Sequence, residues 1–241
     1  MTINLSRAVP LVTGANRGLG LQLVKAFAEA GCPKIYAGCR SPGKFTEALE
    51  GVCPIALDVQ DPFGIEAVAR DCADTTILVN NAAVIENRRI LGADDLEGAM
   101  REMDTNYWGT VRCCRAFAPK LRECGEGVIV NILSIGALAN IPDSGSYCAS
   151  KAAVASATQC IRAELKNTGV TVMSVFVGPM MTDMARPDAK GYHDPREVAA
   201  AILVAIEARQ EIVFPDPTSL QIGALYGDGP WQLEKRYSGP R

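Results

Sequence analysis

The chain has 241 residues, 48% of them hydrophobic and 21% charged, a balance that excludes global disorder. Against 27 Asp and Glu stand 24 Lys and Arg, so the net charge of −3 excludes a nucleic-acid binder working through a basic surface. No run reaches the ~18 consecutive apolar residues of a membrane helix, and the N-terminus runs into a glycine-rich turn rather than a secretory cleavage site. Val9 to Thr13 reads as a strand, and Gly18 to Gly31 as a helix ended by glycine. Lys34 to Gly38 reads as a second strand, Cys53 to Leu57 as a third and Thr76 to Asn80 as a fourth, with a helix from Pro62 to Asp74. Asp94 to Cys124 is expected as one long helix with Pro119 near its end. Gly127 to Leu133 is a fifth strand, Ser146 to Thr168 a helix and Val170 to Val177 a sixth strand. Pro195 to Arg209 is a helix, and Glu211 to Phe214 a short seventh strand. From Pro215 turn residues thicken, so 215–241 is read as an atypical tail, a helix plus a segment capping one edge. The alternation implies one α/β domain over 1–241, an open doubly wound parallel sheet of about seven strands with helices on both faces. The strands are near-continuous apolar runs, as strands covered on both faces are.

Nine cysteines, an odd number without a C-x-x-C pair, read as small buried hydrophobes in a reducing, cytoplasmic setting. The single histidine, His193, cannot build a His-based metal cluster, and no metal is expected. It sits between Tyr192 and Asp194 in a polar stretch and reads as a loop residue rather than the base of a Ser-His-Asp triad.

Residues 11–20 read LVTGANRGLG. Gly14, Gly18 and Gly20 fall between a strand and an amphipathic helix, in the spacing G-x-x-x-G-x-G. Glycines let the backbone turn tightly beside a pyrophosphate, and the helix N-terminus adds free N–H groups and positive potential. At the end of the second strand an acidic residue normally holds the ribose of NAD; here stand Cys39 and then Arg40. A guanidinium there suits a 2′-phosphate, and Arg17 adds a second cation on the same side, so NADP is expected over NAD.

Residues 146–151 read SYCASK, which sets Tyr147 and Lys151 one helical turn apart on a shared face. A nearby ammonium is expected to lower the tyrosine pKa, tuning the phenol for proton transfer. Ser134 ends the fifth strand at the carboxyl edge, where doubly wound sheets bind ligands, and its hydroxyl is placed to hold a carbonyl oxygen.

The set Thr13-Gly14-x-x-x-Gly18-x-Gly20, Asn80-Asn81-Ala82, Asn106, Ser134 and Tyr147-x-x-x-Lys151 resembles the short-chain dehydrogenase/reductase family, in order from about residue 8 to residue 214. The resemblance implies a Rossmann-type fold and hydride transfer between NAD(P) and a carbonyl or alcohol, with Arg17 and Arg40 matching the family's NADP-preferring pattern. It assigns Tyr147 as general acid or base, Lys151 to the nicotinamide ribose, Ser134 to the carbonyl, and Asn106 to a water in a proton relay. Cofactor contacts are implied for Gly14, Asn16, Arg17, Gly18, Leu19, Gly20 and Arg40, then for Asp58, Val59, Asn80 and Ala82 on the adenosine side. Gly178, Met180 and Thr182 follow, after the sixth strand, with the Met180 backbone reaching the nicotinamide carboxamide and Thr182 the phosphates or the amide. Ala83 stands where the family has glycine, Val177 where proline is usual, and the tail lacks the family's tetramer-forming pattern. A homo-oligomer, dimer or tetramer, is still implied, with the helices around Asn106 and Lys151 available to pair.

Ile135, Ala137, Ile141, Met180, Met181 and Met184, with Val84 and Ile85 at the rim, are expected to face an apolar ketone, aldehyde or diketone. An acyl-chain reductase would need a basic docking patch, which the sequence does not concentrate. The reading from another class is a non-catalytic NADP-binding regulator or redox sensor, distinguished by cofactor binding without turnover. A membrane role through Trp231, Leu233 and Tyr237 is the weakest reading, since these side chains suit packing on the domain.

Overall fold

The computed structural model describes residues 2–182 and 191–229. Among them seven strands form one sheet: β1 (Pro10–Thr13), β2 (Ile35–Cys39), β3 (Val52–Ala56), β4 (Ile77–Asn80), β5 (Val128–Ser134), β6 (Thr171–Val177) and β7 (Ile212–Val213). Their order is β3-β2-β1-β4-β5-β6-β7, and every neighbouring pair is parallel. The helices are α1 (Gly18–Glu29), α2 (Pro62–Asp71), α3 (Glu97–Glu102), α4 (Gly109–Cys124), α5 (Gly145–Glu164), α6 (Pro195–Glu207) and α7 (Pro217–Gly227). The doubly wound α/β expectation is met.

Both faces of the central strands are buried, and the two-residue period of a strand sends alternate side chains to opposite cores. Val12, Val79, Val130 and Val175 pack with Leu23 and Phe27 of α1 and Ile202 and Ile206 of α6. Leu11, Leu78, Ile129 and Val172 face the other way, against Ile65 of α2 and Phe117 and Leu121 of α4. One residue of register slip would exchange the two sets, so the alternation also fixes the register. No helix among the described residues is long and apolar enough to cross a membrane.

The strand order reverses between β1 and β4. Chains leaving the carboxyl ends there must diverge, which opens a crevice. Thr13 Oγ1, at the end of β1, accepts the N–H groups of Asn81 and Ala82, each at 3.0 Å. That stitch sets the floor of the crevice.

Two elements differ from the sequence reading. The helix expected over Asp94 to Cys124 begins at Glu97 and is interrupted by a π-helical turn, Met103–Trp108, between α3 and α4. Such widened turns cluster at functional sites, and this one carries Asn106. The seventh strand is two residues long rather than four. In the tail, α7 sets Ile222 and Leu225 against Ile135, Leu138 and Ala139, so it braces the segment just after Ser134. Phe214 stacks on Phe176 with ring centroids 5.3 Å apart.

Candidate active site

The crevice at the switch point is lined by Gly14, Asn16, Arg17, Gly18, Leu19 and Gly20 from the β1–α1 turn, and by Arg40 after β2. Asp58 and Val59 line it after β3, Ala82 after β4, Tyr147 and Lys151 from α5, and Met180 and Thr182 after β6. Sixteen residues or more separate each of these segments from the next in sequence, and the parallel sheet alone brings them together.

The β1–α1 turn is shaped for a close approach. Gly14 has φ +65 and Gly18 φ +54, backbone that side chains other than glycine rarely adopt. A Cβ on Gly20 would overlap the Gly14 carbonyl oxygen. Asn81 Nδ2 donates to the Thr13 and Gly14 carbonyl oxygens at 2.9 and 3.2 Å, tying the turn to the end of β4. The N-cap of α1, Arg17, makes no side-chain capping bond, so its side chain does not compete with an anion for the first-turn N–H groups. The turn therefore fits the pyrophosphate of a dinucleotide. The Arg17 and Arg40 side chains are exposed on the crevice wall.

Two implied cofactor residues do not line the crevice. Asn80 is 4% exposed and turns beneath the sheet, where Nδ2 donates to Asn131 Oδ1 at 2.8 Å and meets Cys114 Sγ at 3.2 Å. Gly178 faces Asp216. Sequence reasoning passed over several residues that do line it: Asn81, Glu86, Arg101 and Thr105. Arg101 and Thr105 are four apart on one helix face, a spacing visible in the sequence once the helix phase is known.

Ser134 and Asn106 sit just behind the wall. Ser134 Oγ accepts the Gly136 N–H at 3.0 Å, and Gly136 lies between it and the Tyr147 ring. Asn106 is 1% exposed. Its Oδ1 accepts the Val84 N–H at 2.8 Å, and its Nδ2 donates to the Val84 carbonyl and to Ser150 Oγ, both at 2.9 Å. Ser150 Oγ in turn donates to the Tyr147 carbonyl at 2.7 Å. Asn106 thus clamps the strand-like segment after β4 to the helix that carries the tyrosine. Ile135, expected to face a substrate, is 5% exposed and packs against Ile222 instead. Met181 is 61% exposed, and Met184 lies outside the described residues, as do Trp231, Leu233 and Tyr237.

The electrostatics correct one expectation. Lys151 Nζ donates to the Ile132 carbonyl at 2.9 Å and lies 5.9 Å from the Tyr147 ring centroid. It does not pull the phenol pKa down. Burial, opposed in part by the Ser134 hydroxyl, pushes Tyr147 up to about 12. The phenol is therefore neutral near pH 7. Burial also pushes the Lys151 ammonium down to about 8 from 10.5.

The Lys151 shift has a measurable consequence. Below pH 8 the fold carries a buried ammonium, which lowers stability. From pH 8 to 10.5 the unfolded chain binds the proton that the folded chain has lost, so stability rises with pH. Relative to Lys151→Met, the wild type is expected to gain on the order of 3 kcal/mol between pH 7 and 10. Urea unfolding of both proteins at these two pH values measures it; parallel stabilities would mean the ammonium is not buried at a cost.

His193 is more than a loop residue. Its N–H donates to Pro179 O at 2.9 Å, its carbonyl accepts the Met181 N–H at 3.0 Å, and its Nε2 lies 2.8 Å from Thr218 Oγ1 and 3.3 Å from Asp216 Oδ1. One ring nitrogen meets both partners, so this is not the relay of a hydrolytic triad, in which each nitrogen serves one partner.

The sequence pattern of short chain dehydrogenases matches residues 8–193. A Homo sapiens protein, short-chain dehydrogenase/reductase 3, is 29% identical over 229 residues, which cover 88% of this chain and 76% of that protein. Among solved structures, a short chain dehydrogenase from Burkholderia cenocepacia in complex with NADP is 35% identical, with a TM-score of 0.94 over 99% of this chain and 100% of that one. A short chain dehydrogenase/reductase from Burkholderia phymatum in complex with NAD shares the fold at 22% identity, with a TM-score of 0.83 over 99% of each chain.

Proposed function

Because the chain belongs to the short chain dehydrogenase family, we propose that it is an NADPH-dependent oxidoreductase that reduces a ketone or aldehyde to the alcohol, reversibly. One observation carries the reading: Tyr147, one turn from Lys151, faces the same crevice as the glycine turn. The dinucleotide, when bound, supplies the hydride. The protein's own groups handle the proton and the geometry. The Tyr147 phenol, held neutral by burial, gives its proton to the carbonyl oxygen as the hydride reaches carbon, leaving an alcohol. Ser134 Oγ, held at the end of β5 near the Tyr147 ring, orients that oxygen. Lys151 holds the nicotinamide ribose, and Asn106 keeps the wall behind it in register. Arg17 and Arg40 hold the 2′-phosphate.

The thioether and aliphatic surface of Met180, Met181 and Val84 supports an apolar substrate. Exposed Met100 of α3 and Trp108 of the π-helical turn, at 69% and 48%, support pairing of two copies through this helix. Nine free thiols suit a reducing, cytoplasmic address.

The test is loss of the reduced-nicotinamide absorbance with purified protein and a panel of ketones, aldehydes and diketones, run with NADPH and with NADH. Turnover with preference for NADPH is expected. Tight NADPH binding with no turnover across the panel would move the reading to a cofactor-binding regulator.

A further inference from the structure

After β6 the chain turns through Gly178 and Pro179 to Met180 and Thr182, both on the crevice wall. What fixes this turn comes from elsewhere. The Gly178 N–H donates to Asp216 Oδ2 at 2.8 Å, across 38 residues of sequence. A Cβ on Gly178 would overlap Asp216 Oδ1, so only glycine lets the backbone come this near. Asp216 is 3% exposed and is the N-cap of α7; its Oδ1 accepts the Ser219 N–H at 2.8 Å.

The two carboxylate oxygens therefore do different work. One, Oδ1, caps a helix, for which Ser, Thr or Asn would serve as well, and also lies 3.3 Å from His193 Nε2. The other reaches back to the loop beside the crevice, and nothing about the helix requires it. His193 joins the same pair of elements through Pro179, Met181 and Thr218.

We propose that Asp216 is a positioning residue for the nicotinamide end of the bound dinucleotide, acting through Gly178 on the placement of Met180, whose backbone is the group expected at the nicotinamide carboxamide. The proposal rests on the dinucleotide reading above. It makes α7, in a tail that departs from the family pattern, part of the cofactor site.

The test uses the full chain with Asp216→Ser, which keeps a capping oxygen and removes the second acceptor. Affinities for NADPH and for 2′-phospho-ADP-ribose, the same molecule without nicotinamide, are measured by calorimetry. Loss of a charge-assisted hydrogen bond predicts roughly tenfold weaker NADPH binding or more, with the fragment unchanged within about twofold. Asp216→Asn keeps the cap but turns an amide N–H toward the Gly178 N–H. It is expected to weaken NADPH at least as much, and it carries the comparison should the serine variant not fold. Equal losses for both ligands would reduce Asp216 to a structural cap, and no loss for either would overturn the proposal. Wild type binding neither ligand would overturn the dinucleotide reading, and this proposal with it.

Discussion

Tyr147→Phe is expected to cut carbonyl reduction by roughly 10²-fold or more while leaving the affinity for NADPH unchanged. The substitution removes one oxygen. The ring stays, along with its packing on the crevice wall, and Lys151 keeps its bond to the Ile132 carbonyl. What is lost is the group that supplies a proton as the substrate oxygen gains charge. Ser134 Oγ still accepts from Gly136, so its position is kept. Single-turnover rates with saturating NADPH, beside a direct binding titration, separate the two quantities. A Phe variant with full turnover would remove the phenol from the chemistry. A variant that lost NADPH affinity in parallel would point to a misshapen crevice instead.

Arg40→Asp is expected to lower the NADPH-to-NADH ratio of kcat/KM by roughly a hundredfold. The change replaces a guanidinium at the end of β2 with a carboxylate facing a phosphate. It also restores the acidic residue that ordinarily holds the ribose of NAD, so activity with NADH should rise as activity with NADPH falls. Arg17 remains as a second cation on the crevice wall, which keeps some NADPH activity. Because both arginines are exposed, added salt should shrink the wild-type preference more than the variant's. An unchanged ratio would remove Arg40 from 2′-phosphate recognition.

Most of the sheet was legible because its strands are buried on both faces and read as continuous apolar runs between turn signals. Leu78, Ile129 and Val172 need no partner information to be recognised as core. The glycine turn was legible for a different reason: Gly14 and Gly20 meet steric demands that no other residue satisfies. The break between α3 and α4 was not legible, because a π-helical turn shifts the backbone bonding by one residue without changing which residues are apolar. Asn80 and Asn81 show the same limit in a strand. They are neighbours of one type, yet one closes a hydrogen bond under the sheet and the other holds the glycine turn, a choice set by where β4 ends. The Lys151 and Tyr147 shifts depend on burial, and a spacing of four on a helix gives proximity without giving solvent access. The tie from Asp216 to Gly178 spans two elements with no pattern in common.

The strand order also bears on how this protein keeps its own sheet from growing. A parallel sheet ends in two rows of backbone groups, and a second chain could extend either row. At one end lies β3, where Pro54 has no N–H to offer. At the other lies β7, with two residues of ladder. β5 has a strand on both sides, and on the outer side of β6 the two residues of β7 pair with Ser174 and Val175 while Arg162 Nε takes the Val172 carbonyl at 2.8 Å. Among the described residues, neither margin presents a stranger with a full row of donors and acceptors.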